Sequence, residues 1–211
     1  MNTEILQNIS IIIASITAIY GIFSWRREHI GKRKIDIAEE VLCSIYEIKD
    51  AIKYIRNPVG TVGEGSKRDK SENETSDQSW ALDQANVVFE RYKENQDIFN
   101  KFFKLKYRYI ANFEKDSEEP FLIVRKTINK IFFAARRLGN HYWLSQDRRR
   151  MSDAQMDKHI QDQQKYEDVF WERDEMDEIN REIDKAVAII ENLCKSANTI
   201  GLKNYLMRMK T

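Results

Sequence analysis

Apolar positions along this chain fall into one unbroken run followed by several periodic stripes. Ile5 to Trp25 holds twenty-one residues without a charged side chain. At ~1.5 Å rise per residue that is a helix of ~30 Å, the thickness of a bilayer's hydrocarbon core. Periodicity begins after it. Ala38, Leu42, Ile45, Ile48, Ile52 and Ile55 recur at steps of three and four, which predicts a helix ending at Asn57-Pro58. Ala81, Ala85, Val88, Tyr92, Phe99, Phe103, Ile110 and Phe113 predict one unbroken helix of about 35 residues. Glu119-Pro120 ends that pattern. Ser117 then suits a cap, with Pro120 in the first turn of a helix that turns Phe121, Val124, Ile128, Ile131, Ala135 and Leu138 inward and stops near Gly139-Asn140. Ser152 and Gln155 form a capping box for a helix through Trp171. In the last stripe Met176, Ile179, Ile183, Ala186, Ile190, Leu193, Ala197 and Ile200 alternate three and four, and Gly201 suits its end.

One segment competes with helix. Lys104 to Tyr109 alternates charged and apolar residues with period two, but it lies inside a longer helical pattern, and helix is preferred. The expected fold class is all-α: an N-terminal single transmembrane helix followed by a cytoplasmic antiparallel bundle of long helices. The segments are a short extracytoplasmic N-terminus (1–4), the span (5–25), a basic juxtamembrane segment and stalk-like helix (26–56), a flexible Gly/polar loop (57–78) and the bundle (79–211). The loop is read from Gly60, Gly63, Gly65 and the polar run Ser66 to Ser79, which holds too little apolar surface to fold alone.

Charge orients this plan. Arg26, Arg27, Lys32, Arg33 and Lys34 follow the apolar run against one Glu28, the reverse of a cleaved signal peptide. The positive-inside bias makes the run a signal-anchor, with the N-terminus outside and the rest in the cytoplasm. Asn73-Glu74-Thr75, a glycosylation acceptor by form, then lies on the wrong side to be used. Cys43 and Cys194 read as free, buried thiols of a reducing compartment. Within the span, Gln7, Ser10, Ala14, Thr17, Gly21 and Ser24 share one side of a helical wheel. Small and hydroxyl-bearing residues of this kind let two membrane helices approach. The last stripe could add a coiled-coil seam, so self-association is expected.

Candidate chemistry is sparse. His29, His141 and His159 lie far apart in sequence, no Cys-x-x-Cys occurs, and no metal or cofactor is expected. The acidic run Glu172 to Glu178 reads as a solvated helix start interacting with the helix dipole. Gly60-Thr-Val-Gly63-Glu-Gly65-Ser66-Lys67 inverts the Lys-Ser/Thr order of a phosphate-binding loop and follows a helix instead of a strand. Arg136 and His141, with four residues between them, resemble the Arg-x(4–6)-His signature of the HEPN ribonucleases, although Arg137 stands where that signature usually has Asn, Asp or His. The resemblance implies His141 as general acid or base and Arg136 as phosphate stabiliser.

Overall, 35 basic residues face 34 acidic ones, but the near-neutrality conceals a division. Residues 101 to 150 hold thirteen basic and five acidic side chains; residues 151 to 191 hold five and thirteen. Either these segments pack against each other, or Lys101, Lys104, Arg108, Arg148, Arg149 and Arg150, together with Arg26 to Lys34, meet phosphate on lipid headgroups or nucleic acid. The chain resembles the general plan of small bacterial single-span proteins with a helical cytoplasmic domain. The leading expectation is a non-catalytic interaction or oligomerisation protein of the bacterial inner membrane. Its expected partners are the lipid bilayer, a second copy and an unidentified protein, with nucleic acid less favoured. The alternative is an effector, either a ribonuclease using Arg136 and His141 or a membrane-perturbing protein activated by assembly.

Overall fold

The chain is all-α, and no strand occurs among the described residues. The computed structural model describes residues 3–113, 118–148, 151–174 and 177–208, without side chains at 6, 146, 147 and 196–208. The expectations for Ser117, Met176, Arg149 and Arg150, and for the side chains of Ala197 and Ile200, lie outside the described residues. Two compact units result, Met1–Glu40 with Asn192–Thr211, and Val41–Glu191.

The first helix, α1, runs unbroken from Thr3 to Arg56. In the first unit its apolar half is bare: the eight isoleucines from Ile5 to Ile22 are each 48–64% exposed, and Tyr20, Phe23 and Trp25 are 59–68% exposed. Trp25 stacks on His29 with ring centroids 5.5 Å apart. Further along, the buried Cys194 thiol donates to the Ala38 carbonyl at 3.3 Å. Cys43, expected to be buried, is exposed, because it lies off the stripe that faces the core.

In the second unit the α1 stripe is buried through Val41, Ile45, Ile48, Ile52 and Ile55, whereas Leu42 is only half-buried. The next element differs from expectation. A break at Asn95 divides it into α2 (Ser76–Glu94) and α3 (Gln96–Asn112). Asn95 has φ −100° and ψ 11°, and its side-chain amide donates to the Arg91 carbonyl at 2.9 Å. This local hydrogen bond competes with helix continuation. The break rotates the buried face of α3 to Phe99, Phe102, Leu105 and Tyr109 instead of Phe103, Ile110 and Phe113. The alternating segment around Lys104 is helical, with Leu105 inward and Tyr107 75% exposed.

Helix α4 (Glu119–Arg137) starts with Pro120 in its first turn and buries all the residues expected of it. It does not stop at Gly139. One π-helical turn, Leu138–Tyr142, continues it, closed by the Trp143 N–H donating to the Leu138 carbonyl at 3.0 Å. Gly139 is required there for contact with α2: a Cβ would come within 2.6 Å of the Ala85 Cβ and 3.3 Å of the Ala81 carbonyl oxygen. A short α5 (Ser145–Arg148) leads to α6 (Asp153–Phe170), where the Gln155 side chain accepts from the Ser152 N–H at 2.9 Å. The last helix, α7 (Glu178–Arg208), buries Ile179, Ile183, Ala186 and Ile190 and passes through Gly201 without ending.

Two buried arginines join these helices at their ends. Arg56 is fully buried at the last residue of α1. Its Nε and Nη2 donate to the carbonyls of Asp168, Val169 and Trp171 at 2.9 Å, closing the C-terminus of α6. Nη1 and Nη2 also grip both oxygens of Asp177, at 3.1 and 2.7 Å. Asp177 in turn accepts from the Asn180 N–H at 2.8 Å and so caps α7. Arg91 of α2, 3% exposed, repeats the device on α1, with Nη1 donating to the carbonyls of Tyr54, Ile55 and Asn57. Replacing Arg56 by Met should leave the Asp177 carboxylate, only 10% exposed, without its ion-pair partner and cost about 3–5 kcal/mol in denaturant unfolding of the full chain. Lys at this position should recover only part, because an ammonium cannot reproduce the planar fork. Gly139→Ala should cost about 1–3 kcal/mol in the same measurement.

Candidate functional site

The segment after α1, expected to be a flexible loop to residue 78, is tied to α2 by charged side chains. Arg91 donates through Nε and Nη2 to both oxygens of Glu64, at 2.6 and 2.9 Å. Arg68 grips both oxygens of Glu74 and reaches Asp83 at 2.7 Å, where Lys70 joins it. The Gly-rich turn does cradle an anion, but one of its own chain: the N–H groups of Gly65 and Lys67 donate to the Glu90 carboxylate, each at 3.0 Å. Gly65 has φ +84°, and a Cβ there would meet the Asp83 carbonyl oxygen at 1.9 Å, so only glycine fits. Composition alone hid this segment because its order comes from charge pairing across 6–27 residues rather than from apolar burial.

The π turn gathers the second cluster. His141 and His159, distant in sequence, face each other with ring centroids 5.7 Å apart. His159 is buried, and its Nε2 donates to the Tyr142 carbonyl at 3.2 Å. Arg137 lies over the rings of Tyr142 and Tyr166, and hydrogen bonds to both phenols hold its pKa above the ordinary value. Trp143 donates from its indole to Glu167 at 2.8 Å. A shallow cleft of about 370 Å³ lies beside this turn, lined by Asn73, Glu74, Gln78 and Asn140.

The sequence-predicted site residues are scattered across these features. Arg136 lays its guanidinium over Phe89 of α2 at 5.7 Å, whereas His141 faces Tyr142 and His159 of α6, so the HEPN-like pair turns to different helices. Arg148 points inward, donating to the Tyr142 carbonyl at 3.0 Å and to Gln163 at 2.8 Å. Lys101 pairs with Glu47 of α1 at 2.9 Å, and Lys104 and Arg108 lie on the exposed side of α3. Within the apolar half of α1, the Thr17 hydroxyl donates to its own helix at Ile13, and Gly21 has open space around it. Arg26, Arg27, Lys32, Arg33 and Lys34 are exposed.

No family model, curated protein or solved structure matches this chain. Its chemistry therefore rests on the residues themselves. Among the described residues, no group of three or more His, Cys, Asp or Glu side chains is placed to hold a metal ion. The division of charge is partly internal: Lys130 of α4 pairs with Glu178 and Glu182 of α7, and Lys185 of α7 with Glu119 of α4. Sequence reasoning missed Arg56, Arg68 and Arg91. Their signal was available only as arginines sitting at or opposite helix ends.

The Arg68 guanidinium and the Ser71 N–H push the Glu74 carboxyl from 4.5 down to about 2. A carboxyl depressed on folding stabilises the fold above its unfolded value and loses that contribution as pH falls through the folded one. The stability difference between the wild-type chain and Glu74→Gln should therefore persist at pH 7, shrink between about 4.5 and about 2, and vanish below. Urea unfolding across that range checks it.

Proposed function

We propose that this chain is a membrane-anchored, non-catalytic helical interaction protein, held by α1 and presenting its second unit as an antiparallel helical bundle in the cytoplasm. The observation that carries the reading is the bare apolar half of α1. Its most apolar eighteen-residue window has a mean hydropathy of 1.8, and none of it is buried. Exposed apolar surface of this extent marks a membrane or protein contact. Each isoleucine near a bilayer centre favours insertion by about 0.3–0.6 kcal/mol. The basic cluster from Arg26 to Lys34 supports a single pass with the N-terminus outside, in a bacterial inner membrane, and suits anionic headgroups. Self-association through the Gln7 to Ser24 side follows from the same exposure and from the room around Gly21.

Alkaline carbonate should leave the full chain in the membrane pellet, and a reporter fused after Thr211 should report a cytoplasmic location. Release into the supernatant would contradict the anchor. Replacing both Ala14 and Gly21 by Leu should weaken crosslinked dimers in membranes while leaving carbonate resistance intact. Unchanged dimers would remove the stripe as an assembly face.

A further inference from the structure

Many cations of the second unit are paired. Lys49, Arg56, Arg68, Lys70, Arg91, Lys101, Lys106, Lys130, Lys165, Arg173 and Lys185 each meet a carboxylate. A set on α2, α3 and α4 does not. Lys93, Lys104, Arg125, Lys126 and Arg136 are exposed, and among the described residues none of them meets a carboxylate. The sequence explains why: from Ile98 to Phe113, and again from Pro120 to Gln146, there is no acidic residue at all. The carboxylates of α2 nearest in sequence to Lys93 are already engaged, Glu90 by the Gly65 and Lys67 N–H groups and Glu94 by the Tyr54 hydroxyl. Asp97, the one acidic residue of α3, stands two turns before Lys104.

These cations form a surface with fixed features. Arg125 and Arg136 are eleven residues apart on α4, which puts them on one side of the helix about 16 Å apart along its axis. Each guanidinium lies over a ring of the neighbouring helices, Arg125 over Phe103 at 5.0 Å and Arg136 over Phe89 at 5.7 Å. A cation held on a ring loses less freedom on binding, and a guanidinium fork matches phosphate oxygens. Tyr107, 75% exposed, shares the outer face of α3 with Lys104. An interfacial membrane helix needs a continuous apolar band opposite its charges. Here the exposed Tyr107 ring stands one turn from Lys104, with the Lys106 ammonium 5.8 Å from its centroid, a ring beside cations as in surfaces that follow a phosphate backbone and stack on bases.

We propose that this surface of α3 and α4, extended by Lys93 of α2, binds single-stranded nucleic acid. Arg125, Lys126, Arg136, Lys104 and Lys93 neutralise phosphates, and Tyr107 stacks on a base. The proposal does not depend on the anchor, since all these residues belong to the second unit.

Fluorescence anisotropy tests it, using the full chain in neutral-headgroup micelles and a labelled single strand of about twelve nucleotides, within the span such sites cover. Binding should weaken with salt, each neutralised phosphate adding about −0.7 to the log–log slope. Arg125→Glu with Arg136→Glu should lower affinity at least tenfold and flatten that slope, whereas Arg→Lys at both should retain most of it. Tyr107→Ala should cost about fivefold or more at unchanged slope. Lys165→Glu, on α6 and 74% exposed, should change nothing. Circular dichroism confirms that each variant is folded. Absence of binding, or equal loss on Lys165→Glu, overturns the proposal. So does a charge reversal that leaves oligonucleotide binding intact while abolishing retention on phosphatidylglycerol vesicles, which assigns the surface to lipid.

Discussion

The second unit depends on how it closes the C-terminal ends of its helices. The last carbonyls of a helix lack intrahelical donors, and burying them without partners costs as much as losing the hydrogen bonds outright. Arginine answers this at two places. Arg91 reaches from α2 to the final carbonyls of α1, and Arg56, the last residue of α1, reaches to those of α6. Each guanidinium also holds a carboxylate, Glu64 or Asp177, that organises the segment beyond. Five donors in a planar fork make this feasible, and a lysine has neither the number nor the geometry. The chain order α2 to α1 to α6 to α7 is thus a relay of end contacts rather than of apolar stripes alone.

That relay explains why so polar a chain with 33% charged residues packs well. Apolar stripes supply the adhesion between helices, and the buried charges set where each helix stops and which neighbour it meets. The loop after α1 belongs to the same scheme. Glu64, Arg68, Glu74 and Asp83 turn a glycine-rich, solvated sequence into a fixed flap over α2, and Glu90 occupies the turn that otherwise offers its N–H groups to an outside anion. Several of the cations left over after this internal pairing lie on α2, α3 and α4.

Helical class and the inward faces of α1, α4 and α7 were legible because periodicity of three and four reports burial directly. The misreadings share a cause. At Asn95 a side-chain hydrogen bond outweighed an apparently continuous stripe, and the face of α3 moved by one residue. At Gly139 the residue read as a stop is instead the contact point between α2 and the π turn. At residues 57–75 order came from ion pairs between positions that no local pattern links. Of the candidate site, the proximity of His141 to His159 and the inward turn of Arg148 are products of tertiary packing, whereas the exposure of Arg26 to Lys34 needed only the sequence.

What joins these observations is α1, one uninterrupted helix whose first half is apolar and bare and whose last residue is a fully buried charge in the second unit. Spin labels placed singly from Ile5 to Trp25 in bilayer-reconstituted chain test this directly. The account predicts that oxygen accessibility rises and that of a water-soluble nickel complex falls toward the middle of the run, reversing beyond Arg26. Equal access of the nickel complex along the whole segment would show that it lies in water and would contradict the anchor.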